Sequence, residues 1–147
     1  MSSQLNREAA LQLLKEYNES ESLLNHGLAV SGVMAHFSEI EGEKKEYWEI
    51  VGLLHDLDYE KYPDQHCVKV VEILKNNGYD DDFIHSVVSH GFGICTDVEP
   101  VQQMEKILYA IDELTGLITA CAYMRPSKSV NDLEVKSVKK KFKSTNF

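Results

Sequence analysis

The chain has only three cysteines, three prolines and one tryptophan among 147 residues, and no long apolar run. Cys67, Cys95 and Cys121 are odd in number and form no CxxC spacing. A disulfide scaffold is therefore not expected to staple the fold, and the simpler expectation is a reducing, cytoplasmic compartment. The longest stretch without Lys, Arg, Asp or Glu runs from Ser22 to Ser38 and contains Asn25, His26, two glycines and His36. Such a stretch is too polar and slightly too short to span a bilayer, so neither a membrane anchor nor a signal peptide is expected.

Basic side chains are scarce over most of the length. Residues 1–122 carry 8 of them against 22 acidic ones, net −14, whereas residues 123–147 carry 7 against 2, net +5. A surface of mostly negative potential repels phosphates, which argues against a duplex nucleic-acid partner. The tail KSVKKKFK reads as a solvated cationic helix face that could also meet an anion. What the sequence does have is 43% hydrophobic content beside 27% charged, which suits one globular domain and is unlike a disordered chain.

Periodicity points to helices nearly throughout. Ser3 is placed to cap a first helix to about Tyr17, Ser22 opens a second to about Glu41, and a third runs from about Glu43 to Leu57. A loop, Asp58 to Gln65, contains Pro63. A fourth helix spans about His66 to Asn77 before Gly78, and a fifth about Asp80 to His90, with three aspartates at its start and Gly91 after its end. Pro100 opens a sixth to about Met124, Pro126 breaks it, and Ser129 with Asp132 resembles a capping box for a seventh. No segment alternates as a strand would, no repeat recurs, and no linker divides the chain. The expected fold is an all-α single domain, residues 1–147.

Helical geometry sorts the six histidines. At about 100 degrees per residue, His26 falls in the stripe of Leu23, Val30, Val33, Met34 and Phe37, and His36 falls off it. His66 joins the stripe of Val70, Ile73 and Leu74. On the fifth helix Phe83, Ile84, Val87 and Val88 mark the buried side, which His90 approaches more closely than His85. His55 shares a side with Trp48 and Val51 and is followed by Asp56 among Leu53, Leu54 and Leu57. Asp112 lies between Leu108, Thr115 and Gly116 with no Lys or Arg one turn away. Carboxylates in apolar surroundings need a positive partner. Inward imidazoles and two such acids from separate helices fit a divalent cation, or a network in which they hydrogen-bond each other and water.

The order His26, His55-Asp56, Asp112, centred on LLHDLDYE, resembles the HD-domain superfamily of metal-dependent phosphohydrolases over about residues 22–124. The resemblance implies a compact helical bundle of about six or seven helices. It also implies a first divalent metal on His26, His55, Asp56 and Asp112. Some members carry two further histidines between the HD pair and the last aspartate, and His66 and His90 match them in order and interval. A second metal bridged by Asp56 is then implied, giving one or two ions per chain. Many members continue the HD pair with an aliphatic residue and glycine, whereas here Leu57 precedes Asp58. The segment from about ITACAYMRP onward lies mostly outside the shared core, and the chain looks like a small bacterial branch of the superfamily.

His and Asp ligands suit Mn, Fe, Mg, Ni or Zn. Such an ion acidifies a water for attack on phosphorus, so hydrolysis of a phosphoester of a nucleotide or small phosphorylated metabolite is the leading expectation. Asp56 and Asp58 are the expected catalytic acids, with Asp58 either a proton acceptor, a partner of a ligand histidine or a residue that caps or orients the turn before Pro63. Lys61, Arg125 and Lys128 are candidates to hold a substrate phosphate, and Tyr59, Tyr62 and Phe92 could line an entrance. Two other readings are a dinuclear-iron oxygenase of the same superfamily and a non-catalytic module whose metal holds helices together.

Overall fold

The structure, a computed structural model, describes residues 5–143. Seven α-helices make up the described residues: α1 (Arg7–Tyr17), α2 (Glu21–Glu41), α3 (Lys45–Leu54), α4 (Lys69–Asn76), α5 (Asp81–Val88), α6 (Gln103–Tyr123) and α7 (Val135–Phe142). Single turns of 3-10 helix occupy Pro63–Gln65 and Ser89–Gly91. No strand is present among the described residues, and none of their helices is long and apolar enough to cross a membrane.

Local chemistry sets the helix ends. Ser3 lies outside the described residues, and α1 is capped by Asn6, whose side-chain oxygen accepts from Ala9 N at 3.0 Å. Ser20, not Ser22, caps α2, and Gly42 ends it at φ +69, a left-handed closure that a Cβ would oppose. The expected capping box of Ser129 and Asp132 does not form. Ser129 Oγ accepts from Asn131 N, Asp132 accepts from Ser127, and α7 starts later, after Glu134.

By internal contacts the chain forms two compact units, one through Ile111 and one from Asp112 onward. The first is a helical bundle. Leu13 and Leu14 of α1, Val30 and Met34 of α2, and Ile50, Val51, Leu53 and Leu54 of α3 share one core with Val70, Leu74, Phe83, Val87 and Leu108. Side chains of that size each contribute roughly 1.5–3 kcal/mol when buried. Within it, α2 and α3 lie unusually close. A Cβ on Gly52 would stand 3.0 Å from Met34 Cγ and 3.2 Å from Ser31 Cα, so glycine is needed for the approach that brings the start of α2 alongside the end of α3. In the second unit Cys121 and Ala122 are buried, and the three consecutive lysines of α7 stand in its last turn, where the helix dipole favours cations.

The sparing use of cysteine is misleading. Cys67 and Cys95 form a disulfide, and Cys121 alone is a free, buried thiol. The cysteine count therefore no longer supports a reducing compartment.

Candidate metal centre

The third helix stops at Leu54, three residues earlier than its periodicity predicts. Leu57 N donates to Leu54 O at 3.2 Å, Tyr59 N to Asp56 O at 3.0 Å and Tyr62 N to Asp58 O at 2.9 Å, a run of turns in place of further helix. His55 and Asp56 thus sit at the exit of α3. Two polar groups outside the helices fix that exit. Asn18 donates to Leu14 O and Leu57 O, and Glu60 accepts from Glu19 N at 2.9 Å and Ser20 N at 2.7 Å. These backbone hydrogen bonds hold the Glu60 carboxyl below its ordinary range. Neither Asn18 nor Glu60 belongs to any periodic stripe, and nothing in the sequence marks them.

Three imidazoles are oriented by the same device. His55 Nδ1 donates to Gly52 O, His90 Nδ1 to Val87 O, and His66 Nδ1 to Asp58 Oδ1, each at 2.6 Å. A carbonyl or carboxylate oxygen can only accept here, so Nδ1 carries a proton and Nε2 is turned inward, donating when the ring is charged and offering a lone pair when it is neutral. His66 reaches this position from the turn before α4 and not from the helix stripe on which its periodicity places it; likewise His90 lies in the 3-10 turn after α5.

All these Nε2 atoms converge on Asp56. Its Oδ2 lies 3.2 Å from His55 Nε2 and 3.6 Å from His26 Nε2, and its Oδ1 lies 3.1 Å from His90 Nε2 and 3.3 Å from His66 Nε2. One carboxylate therefore faces two imidazole pairs, one through each oxygen. The donor atoms of His26, His55 and Asp56 all lie within 4.8 Å of one another, and so do those of Asp56, His66 and His90. Ligands about 2.1 Å from one ion stand roughly 3.0–3.4 Å apart at octahedral or tetrahedral angles, so the donor set fits a divalent cation on either side. His26 and His55 Nε2 approach to 3.2 Å, a spacing natural for two ligands of one ion.

Over residues 23–117, well over half of its length, the sequence matches the family model of the HD domain. The chain belongs to the HD-domain family. Membership places it in a superfamily of metal-dependent phosphohydrolases, and the clustered His and Asp donors are of the kind that hold its divalent ions. No curated protein and no solved structure matches the chain.

Electrostatics in this HD domain follow from the cluster. Burial acts to raise the Asp56 carboxyl, but the attraction of His55 and hydrogen bonds from His55, His66 and His90 hold it well below its ordinary range. Burial opposes charge on His66, yet the hydrogen bonds to Asp56 and Asp58 lift it from 6.5 to about 9. Nε2 of His66 would have to give up a proton before it could serve as a ligand to a divalent ion.

Of the roles expected for Asp58, the geometry places it as a partner of His66; its side chain caps the entry to α4 and not the turn before Pro63. The side chain is fully buried, gives Oδ1 to His66, and takes Cys67 N at 2.9 Å and Val70 N at 3.0 Å on Oδ2. Asp112 stands on α6, one position past the last residue of the first unit. Lys61 is turned toward α1, donating to Glu16 O at 3.1 Å and covering the Tyr17 ring. Arg125 and Lys128 belong to the second unit, where Arg125 Nε faces Asp132 at 3.4 Å and Lys128 is exposed. Tyr59 is half exposed and meets His66 edge-on at 5.2 Å between centroids, whereas Tyr62 lies under Lys69 and Phe92 beside Tyr109. His36 is exposed, and His85 is committed to Glu105 at 2.8 Å.

Proposed function

We propose that this HD domain hydrolyses a phosphoester of a nucleotide or another small phosphorylated metabolite. One divalent ion (Mn, Fe, Mg, Ni or Zn) would be held by His26, His55, Asp56 and Asp112, and a second by Asp56, His66 and His90. The observation that carries the reading is the division of Asp56, with Oδ2 toward His26 and His55 and Oδ1 toward His66 and His90. Such ions, when bound, bring the pKa of water toward roughly 7 and neutralise charge on phosphoryl oxygens, so no Ser or Cys nucleophile is needed.

The chain's own residues supply alignment. Carbonyls of Gly52 and Val87 and the carboxylate of Asp58 fix three rings in the tautomer that presents Nε2. His55 and His90 are buried, while the side chains of His26, Asp56 and His66 are about one-fifth exposed. That asymmetry leaves one rim for a substrate to enter and favours an enzyme over a coordinatively closed, purely structural site. Tyr59 on that rim offers a ring face to a nucleobase. A substrate phosphate would be met by Lys61, Arg125 or Lys128, with Lys61 first leaving the Glu16 carbonyl.

The test is elemental analysis of protein purified without added metal, followed by a nucleotide and phosphomonoester screen with Mn(II), Co(II), Mg(II) and Fe(II). Asp56→Ala is expected to lose both metal and turnover, and His66→Ala or His90→Ala to lower the metal count toward one per chain. Phosphoester turnover surviving in Asp56→Ala refutes the assignment. Oxygen-dependent turnover with two irons would instead identify an oxygenase, and metal-dependent stability without turnover a binding module.

A further inference from the structure

The second half of the centre is bracketed by a feature that hydrolysis does not use. Cys67 directly follows His66, and its N–H donates to the same Asp58 carboxylate that orients the His66 ring. Cys67 adopts φ +73, a left-handed conformation rare for a residue with a Cβ. Its sulfur is bonded to that of Cys95, which lies in the turn after His90. That turn is closed by Ile94 N and Cys95 N on Gly91 O, both at 2.9 Å, and by Gly93 N on Thr96 O at 3.0 Å. Gly91 directly follows His90, and a Cβ there would collide with both sulfurs. The crosslink therefore occupies the space that a side chain on the neighbour of one imidazole would need and continues from the neighbour of the other. His26 and His55 lie on α2 and at the exit of α3 and have no such link.

We propose that Cys67–Cys95 is a reversible thiol–disulfide modification site that sets how tightly the His66 and His90 half of the centre holds its ion. The inference rests on the reading that Asp56, His66 and His90 bind a second cation. Cys67 is buried, but Cys95 is partly exposed and lines a surface cavity with Gly93, Ile94, Thr96 and Asp97. An entering low-molecular-weight thiolate thus reaches Cys95 Sγ, and the electron pair of the broken S–S bond leaves on Cys67 sulfur. A second thiol resolves the mixed disulfide. In sum, two R–SH become R–S–S–R, and their two electrons and two protons convert the disulfide to two Cys thiols. With the bond gone, Cys67 is free to leave its left-handed conformation, and the turns carrying His66 and His90 are no longer tied at a fixed separation.

The experiment compares the full chain with and without a dithiol reductant, removed before measurement under anaerobic conditions. Alkylation in denaturant is expected to label one thiol before reduction and three after it. Calorimetric titration of the metal-free protein with Mn(II) is expected to show the weaker second ion losing at least tenfold in affinity on reduction, with the first changed less than twofold. Hydrogen exchange in the metal-free state should quicken at the amides of Cys67, Val70, Ile94 and Cys95 while those of α2 and α3 hold. A Cys67→Ser/Cys95→Ser variant, checked for helical circular dichroism, should bind the second ion like the reduced protein and ignore the reductant. Two bound ions whose affinities do not respond to reduction overturn this inference and leave the dinuclear reading standing. A disulfide-bonded protein that takes only one ion defeats the dinuclear reading and this inference together. Co(II)–thiolate absorption appearing on reduction also overturns it, since the sulfurs would then be ligands and not a clamp.

Discussion

Replacing Asp58 by Asn tests how the second imidazole pair is aligned. The native carboxylate accepts three hydrogen bonds, from Cys67 N and Val70 N on Oδ2 and from His66 Nδ1 on Oδ1. An amide has one oxygen, and the two backbone donors claim it. The NH2 then faces His66 Nδ1, which must accept, so the neutral ring carries its proton on Nε2, where a metal ion would bind. Loss of a partner that orients a metal-bound histidine typically costs 10- to 100-fold in affinity, about 1.4–2.7 kcal/mol. Both backbone donors stay satisfied, so the fold should lose no more than about 1 kcal/mol. Titration of the metal-free variant with Mn(II) should therefore show a weakened second ion and a near-native first, while urea denaturation followed by circular dichroism gives a near-native midpoint. Equal affinity for the second ion in Asp58→Asn and the parent would refute the tautomer argument. Equal weakening of both ions would show that Asp58 shapes the whole turn.

Other outcomes follow from the packing and charges around this centre. Gly52→Ala places a methyl group 3.0 Å from Met34 Cγ and against the α2 backbone, so it should destabilise by about 1–3 kcal/mol and lower the metal content as His26 and His55 separate, measured by thermal melts and elemental analysis. Glu105 is buried, which opposes its ionisation, but hydrogen bonds from Val101 N, Ser86 Oγ, His85 Nδ1 and Gln102 N hold its carboxyl below the usual range. A depressed carboxyl stabilises the fold above its unfolded pKa and loses that contribution as pH falls through the folded one. The stability gap between the parent and Glu105→Gln should therefore be full near pH 6 and close on acidification below about 4.3, and a gap independent of pH would refute the assignment.

The helices were legible where their apolar stripes and end signals agree, as Gly78 after α4 and the three aspartates at the start of α5 illustrate. His26, within its stripe on α2, was legible for the same reason. His66 and His90 were turned inward by a face argument that treats both as helical, although each lies in a turn; their inward direction comes from Asp58 and the Val87 carbonyl, contacts that no periodicity encodes. The early end of α3 was hidden because Leu57 continues the apolar pattern while its N–H turns back to Leu54 O. The Cys67–Cys95 bond was invisible for a related reason. It joins two turns 28 residues apart, and only the fold brings them together.

The imidazoles that face Asp56 come from positions as distant along the chain as His26 and His90. An unfolded polypeptide has no such convergence to offer, so an ion that settles there acts as a ligand of the native state alone. Each tenfold rise in free ion above its dissociation constant should then add about 1.4 kcal/mol to the unfolding free energy. The melting temperature of this HD domain would thereby report the metal supply around it.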